Sequence, residues 1–228
     1  MDGARPRGEE IELLFRDRRE AGEKLAGLLE GLKGERCVVI AIPRGGVEVG
    51  YHVSWRLGCP LEITVPRKIG APLEPELAVG AVAEDGTIYV EEGVARMVGV
   101  DYNWIKREAE RVLKEVKRRI DLYRDGRPLP SLQGYTTIIV DDGIATGATM
   151  IASARFIRKL EPEKTVIAAP VAPPEVLEKL RGEADEVVVV DTPSPFYAIG
   201  QFYQDFTQLS DADVLRLLKG ARRLINVS

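Results

Sequence analysis

Hydrophobic positions along this chain switch repeatedly between short, wholly apolar runs and the 3.6-residue spacing of an amphipathic helix. Ala21, Leu25, Leu28, Leu29 and Leu32 follow the capping-box pair Asp17 and Glu20 at helical period and stop at Gly34, which predicts a first helix. Cys37 to Ile42 is apolar on both faces, as a central parallel strand is; Pro43-Arg44-Gly45-Gly46 follows, then a helical stretch to Gly58. Leu61 to Val65 predicts a second strand ended by Pro66. Ala78 to Val90 alternates around Glu84-Asp85-Gly86-Thr87, a hairpin with an Asp-Gly turn, and Asp101 to about Arg124 reads as a long charged helix. The strand, loop and helix unit then recurs: Thr136 to Val140, the loop Asp141 to Thr149, and a helix from Met150 to Leu160. Strands at Thr165 to Ala169 and Glu186 to Asp191 flank a helix from Pro174 to Arg181, and a last helix begins near Ser210. This alternation predicts a three-layer α/β/α fold with a mainly parallel sheet. No linker or long repeat interrupts it, so 1–228 reads as one domain.

Composition narrows the chemistry. At 45% hydrophobic and 30% charged the chain is a globular protein and not a disordered one. No stretch approaches the ~18 consecutive apolar residues of a membrane span, and Met1 to Glu12 is polar, so a cytoplasmic location is expected. The net charge of −4 provides no basic field for nucleic acid, and the charged run Lys106 to Arg127 reads as a solvated helix face. His52 is the sole histidine, which removes multi-histidine zinc sites and argues against a Ser-His-Asp mechanism. It sits among Val47, Tyr51 and Trp55 and reads as a packed or exposed side chain. Cys37 and Cys59 read as two buried free thiols. A disulfide stays open because few Asn, Gln and Met and many charged residues suggest a thermophile-like composition.

The loop after Val140 carries the most chemistry. It leaves the carboxyl end of a buried strand and enters a helix, where N–H groups and the helix dipole favour an anion. Gly143 and Gly147 let the backbone approach a ligand, and Thr146 and Thr149 add hydroxyls, so a phosphate monoester fits the cradle. The six-residue glycine spacing and lysine of a P-loop are missing, as is a dinucleotide fingerprint. Asp141 and Asp142 would repel a phosphate unless they accept ligand hydroxyls or help hold a divalent cation. A phosphorylated sugar with vicinal hydroxyls meets that demand.

The run Val140-Asp141-Asp142-Gly143-Ile144-Ala145-Thr146-Gly147-Ala148-Thr149 resembles the 5-phosphoribosyl-1-diphosphate (PRPP) motif of type I phosphoribosyltransferases. The resemblance extends from about Phe15 to Leu218. The segments Phe15 to Arg18 and Glu20 to Gly22, the Pro-Arg-Gly-Gly loop and the pattern Gly200-x-x-Tyr203-x-Asp205-Phe206 resemble a less characterised branch of that family. It implies that Asp141 and Asp142 contact the ribose hydroxyls, near or indirectly at Mg²⁺, and that Gly143 to Thr149 bind the 5-phosphate. It also implies that Arg44, Gly45 and Gly46 bind pyrophosphate, with a cis peptide near Arg44–Gly45. Arg67 and Lys68, in a short basic loop ending at Pro72, would neutralise the departing pyrophosphate. A small hood over the site would draw on 192–228 and the first residues.

The reaction implied is displacement of pyrophosphate by a nitrogen nucleophile, a nucleobase or small amine. Expected partners are PRPP, that acceptor and a second copy of the chain in a homodimer, with neither membrane nor nucleic acid. Hypoxanthine-guanine members carry an aspartate just before Thr-Gly; Ala145 stands there in this chain, which weakens a 6-oxopurine acceptor and leaves adenine, pyrimidines and amines open. Phe196 and Tyr197 could stack on the acceptor or pack into the core, while Phe202, Tyr203 and Phe206 read as core. Two other readings stand beside the enzyme: a PRPP-sensing regulator of the same fold, and a ribose-phosphate-binding part of a larger assembly.

Overall fold

The computed structural model describes residues 13–225; 1–12, which include the segment read for a leader and part of the expected hood, and 226–228 lie outside the described residues. Five strands form one parallel sheet: β1 (Cys37–Ala41), β2 (Leu61–Ile63), β6 (Thr136–Val140), β7 (Lys164–Val171) and β8 (Glu186–Asp191), in the order β2-β1-β6-β7-β8. Every residue of β1 and β6 is buried, as their unbroken apolar runs require of strands covered on both faces.

Alternate residues of these strands serve two cores. Val39, Ala41, Ile138 and Val140 pack with α1 (Arg18–Leu28), α2 (Gly45–Leu57) and α7 (Asp211–Ile225). Val38, Ile40, Ile139 and Ile167 face the opposite way, towards α5 (Ala148–Arg158) and α6 (Pro174–Arg181). The result is the three-layer α/β/α arrangement expected from the sequence. At the start of α1, Asp17 caps the Glu20 N–H at 2.8 Å, whereas the Glu20 carboxylate accepts from the Arg16 N–H at 2.7 Å, one residue outside the usual box.

A second, antiparallel sheet of β3 (Arg67–Gly70), β4 (Ala78–Val82) and β5 (Ile88–Val90) packs on α3 (Glu92–Val98) and α4 (Tyr102–Arg124). The Asp85-Gly86 hairpin turn is present, with Gly86 at φ +89°. Arg67 to Gly70 is not the loop expected: it pairs with β4, Lys68 opposite Ala81 and Ile69 opposite Gly80. A four-residue strand has too few alternations to announce itself, and its partner lies beyond two prolines.

Two further expectations are corrected. Cys37 and Cys59 are joined in a disulfide with Cα atoms 5.5 Å apart, so they are not free thiols. Both are buried where β1 begins and the chain re-enters after α2. The non-proline cis peptide lies at Pro43–Arg44, one bond earlier than expected. No described helix is long and apolar enough to cross a membrane.

Candidate active site

The sheet order places a topological switch between β1 and β6: the chain leaves β1 towards β2 on one side and leaves β6 towards β7 on the other. Ligands in open α/β sheets bind at such points, outside the carboxyl ends of the strands. Ala41 is in register with Val140, so the Pro43–Gly46 loop and the Asp141–Gly147 loop emerge side by side. Gly46 makes their approach possible, since a Cβ there would lie 2.8 Å from the Asp141 Cα and 2.9 Å from the Val140 carbonyl oxygen.

The second loop forms a cradle at the N-terminus of α5. Gly147 stands at the cap with φ +82°, a conformation that glycine adopts without penalty. Gly143, Ile144, Ala145, Thr146, Gly147, Ala148 and Thr149 all line a cavity of about 250 Å³, which Asp141, Lys68, Glu76 and Ile199 complete. Ala145 and Thr146 are exposed at its mouth, and the cavity lies at the N-terminus of α5, where helix N–H groups and the dipole favour an anion.

A larger cavity, about 760 Å³, adjoins it and shares Asp141, Lys68 and Thr149. Its walls come from Pro43, from Pro66 and Arg67, from Ala71, Pro72 and Pro75 between β3 and β4, and from one face of α4. Burial, and next the neighbouring charge of Arg119, lower the Arg67 guanidinium from its usual value, yet arginine stays a cation. Lys68 Nζ is held 2.6 Å from the Glu76 carboxylate.

The two acids expected to act together have different surroundings. Asp141 lines both cavities, and burial, then the charge of Asp142, push its carboxyl well above the usual range. Asp142 is not among the residues lining either cavity. Its carboxylate accepts from Arg18 Nε at 2.7 Å, and its place against Gly45 could not be shared with a side chain. Of the two carboxylates expected at ligand hydroxyls or metal, Asp141 faces the cavities and Asp142 turns to Arg18. Arg44, at the N-cap of α2, turns towards Asp211 at 3.8 Å, and Gly45 and Gly46 pack on the two acids; Pro43 is the member of that loop that reaches the large cavity.

Phe196 is half-buried with its ring 4.9 Å from that of Phe202, and Tyr197 is 76% exposed. Neither lines the two cavities, whereas Ile199, three residues after Phe196, does. The turn is held by Gln201, whose Oε1 accepts from the Tyr197 and Ala198 N–H groups. Tyr203 and Phe202 are buried, as expected of core.

Sequence reasoning missed Trp104, Glu108, Arg111 and Val112, which line the large cavity from the helix read as solvated. Their spacing of four, seven and eight residues from Trp104 marks one helix face, a signal hidden by the density of charge around it. It also missed Arg18, whose partner is remote in sequence.

Residues 16–206 match the model of the family described as the phosphoribosyl transferase domain. A Mycobacterium tuberculosis H37Rv protein named "Putative phosphoribosyl transferase Rv0571c" is 42% identical over 210 residues, 92% of this chain and 47% of that protein. The chain thus spans about half the length of this curated relative. The crystal structure of TT1426 from Thermus thermophilus has 42% identity and a TM-score of 0.74, covering 90% of this chain and 97% of that one. A ribose-phosphate pyrophosphokinase of Thermococcus kodakarensis is 26% identical over 143 residues, 60% of this chain and 48% of that protein. With the parallel sheet, the loop at its switch point and a family match over most of its length, this chain belongs to the phosphoribosyl transferase domain family.

Proposed function

We propose that the chain moves the 5-phosphoribosyl group of PRPP onto a nitrogen acceptor, a nucleobase or small amine, and releases pyrophosphate. The observation that carries this reading is the pair of contiguous cavities that meet at Asp141 and Lys68. One is a main-chain cradle sized for a phosphate; the other is larger and holds Arg67. A sugar bearing a phosphate at one end and a pyrophosphate at the other fits that layout, with Asp141 between them to accept its hydroxyls. Similarity to a protein named as a ribose-phosphate pyrophosphokinase supports a ribose phosphate as the common ligand.

In the reaction the C1–O bond to pyrophosphate breaks, a C1–N bond forms and the acceptor loses a proton. Arg67 and Lys68 would place positive charge where the leaving group gains negative charge, and donors already held at the cavity wall need little reorganisation. Magnesium would neutralise pyrophosphate charge when bound. Asp141, the carboxylate that lines both cavities, is the residue that would help hold it there. Exposed Ala145 and Thr146 present no acid to an acceptor, in keeping with bases that need none at that point.

The test is pyrophosphate release from PRPP and Mg²⁺ over a panel of purines, pyrimidines and small amines. Turnover with one class supports the proposal and names the acceptor. Tight PRPP binding with no release for any of them favours the regulator instead.

A further inference from the structure

Arg18 and Asp142 lie 124 positions apart and meet in the interior, 6% and 8% exposed. Arg18 is the first residue of α1. Its Nε donates to the Asp142 carboxylate at 2.7 Å, its Nη1 donates to the Thr207 carbonyl at 2.8 Å, and its guanidinium lies 3.9 Å from the centre of the Phe206 ring. Tyr203 completes the arrangement by donating its hydroxyl to the Asp142 carbonyl at 2.6 Å; burial, then Asp142 beside it, push that hydroxyl's pKa up, so it stays a donor. A Cβ on Gly45 would lie 2.5 Å from the Asp142 carboxyl carbon and 2.7 Å from Arg18 Nε. Three segments remote in sequence, the start of α1, the tail 203–207 and the Pro43–Gly46 loop, thus converge on Asp142 and its partner Arg18.

Electrostatics gives the convergence a purpose. A second free carboxylate beside Asp141 would repel both ends of a doubly phosphorylated sugar and would raise the Asp141 carboxyl further. A buried carboxylate also needs a paired cation with its remaining hydrogen bonds satisfied. Arg18 supplies the paired cation, and it is itself held in place by Thr207 and Phe206.

We propose that Arg18 is a positioning residue that holds the Asp142 carboxylate against Gly45, neutralised and out of the cavity, so that Asp141 is the acid presented to the ligand. The inference rests on the ribose-phosphate reading of the site. It assigns the Tyr203-x-Asp205-Phe206 stretch of the tail a part in shaping the loop.

The test measures ribose 5-phosphate binding by calorimetry for the whole chain and the variants Arg18→Met, Asp142→Asn, Asp141→Asn and the double variant Arg18→Met/Asp142→Asn. Stranding the Asp142 charge in Arg18→Met should weaken binding by about tenfold or more, and the double variant should regain most of that loss because no charge is left unpaired. Asp142→Asn should cost much less than Asp141→Asn. Equal losses in those two, or a double variant as weak as Arg18→Met, overturn the proposal. Should Arg18→Met not fold, Arg18→Gln takes its place: it removes the charge but keeps an amide donor for Thr207, and Asp142→Asn beside it should again restore binding. Failure of the unaltered chain to bind ribose 5-phosphate or PRPP refutes the functional reading separately. The inference then stands or falls on a crystal structure of the folded Arg18 variant, where an Asp142 carboxylate still seated on Gly45 would overturn it.

Discussion

Arg124 and Glu84 form an ion pair at 2.5 Å whose side chains are only 3% and 6% exposed. Glu84 also accepts from the Thr64 hydroxyl and the Val65 N–H, both at 3.2 Å. One carboxylate thereby ties the end of α4 to the turn after β4 and to the segment that leads into Pro66 and Arg67. Arg124→Met should strand that carboxylate and cost about 3–5 kcal/mol, the usual loss when one partner of a buried pair is removed. Denaturant unfolding measures it; a loss under about 1 kcal/mol, typical of an exposed pair, would contradict the assignment.

Gly147 at φ +82° caps α5, and a Cβ there would lie 3.0 Å from Val176. Gly147→Val is strained both by its backbone angle and by crowding, and it should reshape the cradle. Loss of ribose 5-phosphate binding is expected, with circular dichroism still reporting the α/β fold.

Lys68 reaches both cavities but is held by Glu76 on the β3–β4 connection. Lys68→Ala should lower the pyrophosphate release rate by on the order of 10²-fold, as removal of a transition-state donor does, while PRPP affinity changes far less. An affinity loss as large as the rate loss would make Lys68 a ground-state ligand only.

His52 is half-buried on α2, edge-on to Tyr51 at 5.3 Å, and burial lowers its pKa from 6.5. A folded-state pKa below the unfolded value means that the unfolded chain binds the proton more readily. The stabilisation is therefore complete above about pH 6.5, the unfolded value, and is lost as pH falls from there through the lower folded pKa. As the chain has one histidine, its imidazole proton resonance can be titrated without assignment; a midpoint at or above 6.5 would contradict this environment.

The Cys37–Cys59 disulfide spans 22 positions and joins the first strand to the return after α2. Closing a loop of that length should stabilise the fold by about 3 kcal/mol on the chain-entropy account. Melting with and without reductant, beside the Cys37→Ala/Cys59→Ala variant, measures it, and an unchanged melting temperature under full reduction would show that the pairing contributes nothing.

Much of this protein is legible in local sequence. The apolar runs of β1 and β6, the capping residue Asp17, Pro174 at the start of α6 and the glycines of the Asp141–Thr149 loop each act within a few residues of chain. Period, caps and left-handed turns are short-range physics, so they place the strand, loop and helix units and mark the loop where an anion belongs. Tertiary structure decided the rest: that Asp142 turns to Arg18, that Arg67 to Gly70 finds a strand partner, that a charged helix lends Trp104 and Arg111 to a cavity wall, and that two cysteines pair. Each of these depends on a partner many positions away. Charge pairing and strand pairing leave no periodic trace in either partner, so only the folded chain shows which side chain meets which.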